Sequence, residues 1–349
     1  MELNNRPAFM FLRLKMTEVN SFMNFWKDFE GPIFALAPME DVTETVFREL
    51  VALTASPGRL NVLFTEFMSV DGFLHERGQL RVSERLLVNP QERQVLERSG
   101  IKLVAQIWGS DPEKFHRATR KIVEEHRFDG IDINMGCPVK KIIKKGGCSN
   151  LIATPELARE IVAATREASD LPVSVKTRIG IREAVTEEWI GQLLEEKPAA
   201  ITVHGRTQKM MSEGRADWNE VGKASRLRDQ INSDTLILGN GDVMTYGEGL
   251  QKAVDYSADG IMVGRGIFAH PAFFSSPETL DTEARLRLLR QHIVRFQETW
   301  EGKKNYAILK RFFKIYANSF PGASEFRARL MESLDYAGGL KVLQEFERD

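Results

Sequence analysis

Eight short apolar, β-branched runs, each followed by glycine, proline or polar residues and then by a longer amphipathic stretch, constrain this 349-residue chain more than any other feature. The runs are Ile33–Ala37, Val62–Thr65, Leu103–Ile107, Ile131–Asn134, Val173–Lys176, Ala200–His204, Thr235–Leu238 and Ile261–Val263. Such alternation is the signature of parallel strands joined by helices. Eight βα units over about 240 residues are the size of a (β/α)8 TIM barrel. A doubly wound sheet is the competing arrangement, but no G-x-G-x-x-G follows the first run, as a dinucleotide-binding half would require.

The helix signals between the runs are consistent with that reading. Ser110-Asp111-Pro112-Glu113 supplies an N-cap, a first-turn proline and a glutamate at N3, and Phe115, Ala118, Ile122 and Val123 supply an apolar stripe. Thr154-Pro155 opens the next helix in a similar way. After Pro271 the strand signal stops. Leu286, Leu289, Ile293 and Phe296 keep helical spacing, as do Ile308, Phe312 and Ile315. The chain therefore divides into an N-terminal extension over 1–30, a barrel over 31–275 and an all-α helical domain over 276–349. Within the extension, Met23 is a candidate true start, because the pattern becomes regular only after it.

Barrels handle ligands at the C-terminal ends of their strands, so the residues just past each run carry the functional information. They are Pro38-Met39-Glu40, Glu66, Gln106, Asn134 with Cys137, Lys176 with Arg178, His204 with Arg206, Gly239-Asn240-Gly241-Asp242 and Gly264-Arg265-Gly266. The two last turns suit a phosphate, since glycine lets backbone N–H groups approach oxygen closely and Arg265 adds a charge. Ordinary tight turns use glycine too, and the pairing of the turns favours the phosphorylated cofactor. Lys176 and His204 face the mouth, where a cation neutralises an electron-rich ring edge or a phosphate. Gln106 both donates and accepts, as a pyrimidine-like ring edge requires. Cys137 lies on a polar loop followed by Lys140, Lys141, Lys144 and Lys145. It is either a small buried hydrophobe or a reactive thiol, a general acid while protonated. Cys148 reads as structural or incidental.

Charge and composition exclude several classes. Forty-eight basic against 49 acidic residues give a net charge of −1, so basic residues are locally segregated rather than spread as a coat. Two cysteines fit a reducing compartment, with cytoplasm as the default. No metal-ligand spacing occurs among the six histidines. The stretch Phe9 to Leu14 is broken by Arg13, and no run approaches the roughly 20 apolar residues of a membrane span. Gly302 to Ser324 holds no acidic residue but contains Lys303, Lys304, Lys310, Arg311 and Lys314, interleaved with Tyr306, Phe312, Phe313, Tyr316 and Phe320. That is either an RNA-backbone footprint or an ordinary helix with aromatics in the core and lysines in water.

Taken together, Leu36-Ala37-Pro38-Met39-Glu40-Asp41-Val42-Thr43, Asp132-Ile133-Asn134-Met135-Gly136-Cys137-Pro138, Val173-Ser174-Val175-Lys176-Thr177-Arg178, Val203-His204-Gly205-Arg206-Thr207, Gly239-Asn240-Gly241-Asp242 and Met262-Val263-Gly264-Arg265-Gly266 resemble the flavin-dependent dihydrouridine synthases, in the family's order. The N-x-G-C-P and H-G-R-T segments together are the specific ones. Leu309-Lys310-Arg311-Phe312-Phe313-Lys314 and Gly322-Ala323 look like that family's helical RNA-binding domain.

The resemblance implies FMN in the barrel mouth. Pro38, Met39 and Glu40 would meet the ring through their backbone, Gln106 and Lys176 its polar edge, and Asn240, Gly241, Asp242, Gly264 and Arg265 the ribityl phosphate, with His204 a further cofactor contact. It further implies that NADPH reduces FMN, that hydride passes to uridine C6, and that Cys137 protonates C5, with Asn134 and Arg178 binding the uracil. That role needs a thiol little depressed by its lysines. The partner implied is tRNA, with rRNA open, and nothing demands more than a monomer. Two features depart from the pattern. Cys148 stands where relatives more often carry glycine, alanine or serine, which places a second thiol near the site, and the charged insertion Val70–Arg98 has no place in the motif scheme. Competing readings are a flavin barrel acting on a free pyrimidine or small enone, disfavoured by the basic helical segment, and an RNA-binding barrel without catalysis.

Overall fold

The structure, a computed structural model, describes residues 24–277 and 280–348. The expectations on 1–23, Met23 included, fall outside the described residues. Nine parallel strands form among the described residues: β1 (Ile33–Leu36), β2 (Val62–Phe64), β3 (Met68–Ser69), β4 (Lys102–Trp108), β5 (Gly130–Met135), β6 (Val173–Arg178), β7 (Ala200–His204), β8 (Leu236–Asn240) and β9 (Gly260–Val263). β1 pairs with both β2 and β9, and β2 pairs with β4, so eight strands close into a barrel in the order β1-β2-β4-β5-β6-β7-β8-β9. The ninth strand was not anticipated. β3 is two residues long, too short for any periodicity, and only extends the end of β4 through Met68 with Ile107 and Ser69 with Trp108.

Side chains alternate along each strand, and the alternation separates two environments. Phe34 and Leu36 point out to the helical layer, while Ile33, Ala35 and Ala37 point in, beside Val62, Phe64, Val104, Ala200, Leu238 and Met262. Phe25 and Trp26, which the sequence division assigns to the extension, belong to this interior cluster and plug the barrel's N-terminal end. Further along the strands from this apolar floor, the same inward face carries Gln106, Asp132, Asn134, Lys176, His204 and Asn240. The interior is thus apolar below and polar above.

Local details refine the sequence reading. The helix Pro112–Glu125 is capped by Asp111, whose carboxylate accepts from Lys114 N at 3.2 Å, so Glu113 is at N2 rather than N3. Phe115, Ala118 and Ile122 are buried, but Val123 is 37% exposed, because the stripe is narrower than the sequence suggests. The Val70–Arg98 insertion supplies the helices Val70–Leu74, Gln79–Ser83 and Pro90–Ser99 of the second βα unit. From Pro90–Ser99, Glu92 takes a two-pronged hydrogen bond from fully buried Arg48, at 2.6 and 2.9 Å.

The C-terminal helices Thr282–Trp300, Lys310–Tyr316, Ala323–Glu332 and Tyr336–Phe346 pack onto the barrel in one continuous apolar cluster. Tyr306, Phe312, Phe313 and Tyr316 are core residues, and Lys303, Arg311 and Lys314 are exposed. Trp300 donates to Glu44 at 2.6 Å, and Arg311 donates to the Asp41 carbonyl at 2.9 Å. No helix among the described residues is long and apolar enough to cross a membrane.

The Arg48–Glu92 pair sets a test of this packing. Removing one partner leaves a buried charge uncompensated, so Arg48→Met should cost about 3–5 kcal/mol in urea unfolding, and Arg48→Met with Glu92→Leu should recover most of that loss.

Candidate active site

The inward-facing polar residues and the loops beyond them enclose a cavity of about 520 Å³ at the C-terminal end of the barrel. Pro38, Met39, Asn134, Cys137, Lys176, Arg178, His204, Asn240, Gly241, Asp242, Gly264 and Arg265 all line it. Two expected residues do not. Glu40 turns aside to an ion pair with Arg85 at 2.8 Å. Gln106 is fully buried beneath the cavity, where it donates to Asp132 at 2.6 Å and accepts from Asn134 at 2.9 Å. Met39 faces the cavity, yet its backbone N–H is taken by Thr43 Oγ1 at 2.9 Å.

A chain of hydrogen bonds runs from the barrel floor to the cysteine. Asp132 accepts from Ser174 and Gln106, both at 2.6 Å. Because Gln106 donates downward, its carbonyl oxygen faces up to the Asn134 amide group. Asn134 Oδ1 is thereby turned to accept from the backbone N–H groups of Gly136 and Cys137, each at 3.0 Å. Arg178 fixes the same loop from the other side, donating to Gly136 O at 2.6 Å and to the carbonyls of Thr207 and Met211 at 3.0 and 2.7 Å. Burial pushes the Asp132 carboxyl up to about 6, against the lowering by Ser174, Gln106 and Lys176.

Cys137 is half-buried, and its thiol is pulled down to about 7, chiefly by a hydrogen bond from Cys148. The Val139 N–H and Arg178 act in the same direction, and burial and Glu40 oppose them. The following lysines take no part in that depression, in line with the expectation, and the buried Cys148 thiol is its chief source. Lys140, Lys141, Lys144 and Lys145 are all exposed on the rim.

The cavity has a marked charge excess. Lys176, Arg178, Arg206 and Arg265 line it against the single carboxylate of Asp242. That carboxylate is held below the usual range: although burial raises it, hydrogen bonds from Arg206 and the Ala216 N–H, with the charge of Arg265, prevail. Arg206 reaches Asp242 at 2.6 Å and Arg265 at 2.9 Å. Lys176 donates to Asn240 at 3.2 Å and is lowered to about 8, mainly by burial, so it remains mostly cationic at neutral pH. Burial and the surrounding cations hold His204 well below the ordinary histidine value, and its Nε2 accepts from Arg206 at 3.1 Å. Asp242 therefore orients two arginines. It does not itself offer a group to an anion.

Sequence reasoning recorded Arg206 as a strand-end residue but gave it no role, and gave Asp132 none either. The available signals were the arginine within H-G-R-T and an acid on the inward face of an otherwise apolar strand. Among the described residues no cluster suited to a metal ion forms.

Strand ends of a closed parallel barrel that concentrate positive charge around glycine turns have the form of a barrel enzyme's site, suited to an anionic ligand. The family described as Dihydrouridine synthase (Dus) matches residues 35–349. A "Probable tRNA-dihydrouridine synthase" of Staphylococcus aureus (strain COL) is 41% identical over 327 residues, covering 93% of this chain and 96% of that protein. A "Probable tRNA-dihydrouridine synthase 2" of Bacillus subtilis (strain 168) is 40% identical over 328 residues, covering 93% and 97%. The chain belongs to the dihydrouridine synthase family. Among solved structures, the old yellow enzyme from Trypanosoma cruzi aligns with a TM-score of 0.47 at 12% identity, over 68% of this chain and 85% of that one. An NCR variant from Zymomonas mobilis aligns with a TM-score of 0.46 at 15% identity, over 71% and 87%.

Two measurements follow from the site. Carbamidomethylation of Cys137 by iodoacetamide should show a pH midpoint near 7, and Cys148→Ala should move it up toward the ordinary thiol value of about 8.5. The folded Asp132 carboxyl holds its proton to higher pH than the unfolded one, so the native state binds the extra proton between about pH 4 and 6 and loses stability as pH rises through that window. Asp132→Asn should remove this loss. Its stability relative to the parent should rise between pH 4 and 7 by up to about 3 kcal/mol, read by urea unfolding.

Proposed function

We propose that this chain reduces uridine to 5,6-dihydrouridine in tRNA, with FMN as the bound cofactor and NADPH as the reductant. The observation that carries the reading is the meeting, in one cationic cavity, of a proton-bearing Cys137 with glycine turns fit for a phosphate. The donor set suits FMN. A side chain at Gly264 would meet only Ala37, at 3.9 Å, so the backbone there is open to a ligand. Gly241, at φ +118, lies close against Ala216 and His204, where a Cβ would sit 2.7 and 3.0 Å from their nearest atoms. Asn240, Gly241, Gly264 and Arg265 would hold the phosphate, and Pro38, Met39 and Lys176 the ring. Bound FMN would supply the hydride that uridine C6 receives.

The remaining work belongs to this chain's own residues. Cys137 donates its proton to uridine C5 while it is a thiol. Asn134 holds the cysteine loop through two backbone N–H groups and lines the cavity beside it, which supports a contact with a uracil edge. Arg178 holds the loop from the opposite side and adds positive potential. Lys176 faces the electron-rich ring edge as a cation, and an anion there would raise its pKa. Since the target base is part of an RNA, it must be extruded to enter, with affinity supplied at the backbone. The exposed Lys140, Lys141, Lys144 and Lys145 at the rim and Lys303, Arg311 and Lys314 on the helical segment, read as an RNA-binding domain over 276–349, suit that role.

The test uses a strain lacking the gene. Its tRNA and rRNA are digested, dihydrouridine is quantified by mass spectrometry, and the lost position is mapped. Loss restored by the parent chain and not by Cys137→Ala establishes the reading and the RNA class. Unchanged dihydrouridine, with no redundant enzyme present, overturns it in favour of a free pyrimidine or enone. With purified protein, single-turnover reduction should fall as pH rises through about 7, because the acid form of Cys137 is depleted. The limiting slope is about tenfold per pH unit.

A further inference from the structure

Cys148 has no part in the reduction as derived, yet it is the side chain that most alters Cys137. It is fully buried and forms a small apolar cluster with Phe67 and Ile142, against which Cys137 and Trp108 pack. The two cysteine segments are fastened together by the next residue, since Ser149 donates to the Cys137 carbonyl from both its Oγ, at 2.7 Å, and its backbone N–H, at 3.4 Å. The approach to Cys148 is equally fixed. A Cβ on Gly147 would lie 2.7 Å from the Gly109 carbonyl oxygen, so the chain can pass there only as glycine, and Cys148 itself takes a left-handed φ of +52. Neither thiol is in a disulfide.

We propose that Cys137 and Cys148 form a dithiol modification site, in which a hydroperoxide oxidises Cys137 and Cys148 resolves it into a reversible intramolecular disulfide. The environments assign the order. Cys137 lines the open cavity and is the thiol with thiolate character, whereas burial holds Cys148 protonated and out of reach of solvent. The Cys137 thiolate attacks one peroxide oxygen, the O–O bond breaks, and the departing hydroxide or alkoxide takes a proton to leave as water or alcohol, leaving a sulfenic acid. The Cys148 sulfur then attacks the sulfenic sulfur, an S–S bond forms, and hydroxide leaves with the Cys148 proton as water. Two thiols and one hydrogen peroxide thus become one disulfide and two waters. The disulfide withdraws the proton donor, and a dithiol reductant returns it. It also spares Cys137 from the irreversible sulfinic acid. The loss of activity rests on the reading of Cys137 as the proton donor, but formation of the bond does not.

The experiment exposes the purified, cofactor-loaded protein to near-stoichiometric hydrogen peroxide, alkylates free thiols under denaturing conditions and measures intact and peptide masses. The expected product is a monomer about 2 Da lighter with a Cys137–Cys148 cross-linked peptide, fully reversed by dithiothreitol. Cys148→Ser should instead carry a dimedone-reactive sulfenic acid at Cys137 and progress to a species about 32 Da heavier that the dithiol does not restore. Cys148→Ala gives a second background should the serine variant fail to fold. Retention of both free thiols, a sulfinic Cys137 beside a free Cys148, or a disulfide between two chains would each overturn the proposal. If the bond forms but dihydrouridine synthesis persists in the oxidised protein, the role of Cys137 fails and the modification site stands.

Discussion

The parallel ladder between β1 and β9 makes the sheet a barrel rather than an open layer, and the site exists because of it. Ile33, Phe34, Ala35 and Leu36 align with Gly260, Ile261, Met262 and Val263, which sets Pro38 and Met39 beside Gly264 and Arg265 although more than 200 residues separate them. The approach is so close that a Cβ on Gly260 would fall 2.4 Å from the Ile33 carbonyl oxygen, so this position admits glycine alone. In an open sheet the same strand ends would lie at opposite edges.

Within the barrel the polar upper layer is organised by directional hydrogen bonds rather than by packing. Asp132 can only accept while ionised, which fixes the direction of Gln106 and, through it, of Asn134. The carboxylate serves the site by orienting amides, and its raised pKa records what burial there costs. Asp242 plays the parallel part across the cavity, binding two arginines that would otherwise repel each other. In both cases a carboxylate arranges the donors around it, Asp132 beneath the cavity and Asp242 at its wall, and the cavity keeps its positive charge.

The helical segment is joined to the barrel by burial as much as by charge. Phe312 packs against Phe47 with the rings tilted and 5.1 Å between centroids, and Trp300 reaches the Glu44 carboxylate that also caps the helix Thr45–Thr54. The aromatic residues interleaved with the lysines of 302–324 are mostly committed to this core. Positive charge left at the surface is what remains for a polyanion.

Much of the fold was legible in the chain. All eight runs became barrel strands within a residue or two of their expected bounds, because alternating apolar runs and capped amphipathic helices are local patterns. The strand-end residues could be named because a closed parallel barrel has one functional end, and most of them line one cavity there. What sequence could not decide was direction and partnership. Gln106 went beneath the cavity, Glu40 turned to Arg85, and Cys148 came to rest against Cys137 because helices and loops distant in sequence close over them. The sequence by itself determined which residue types stand at the strand ends, since strand period and turn chemistry act over a few residues. Only the tertiary structure decided which of those groups face the cavity, which neutralise one another and what proton affinity each has, since burial and charge act through space between residues the chain keeps far apart.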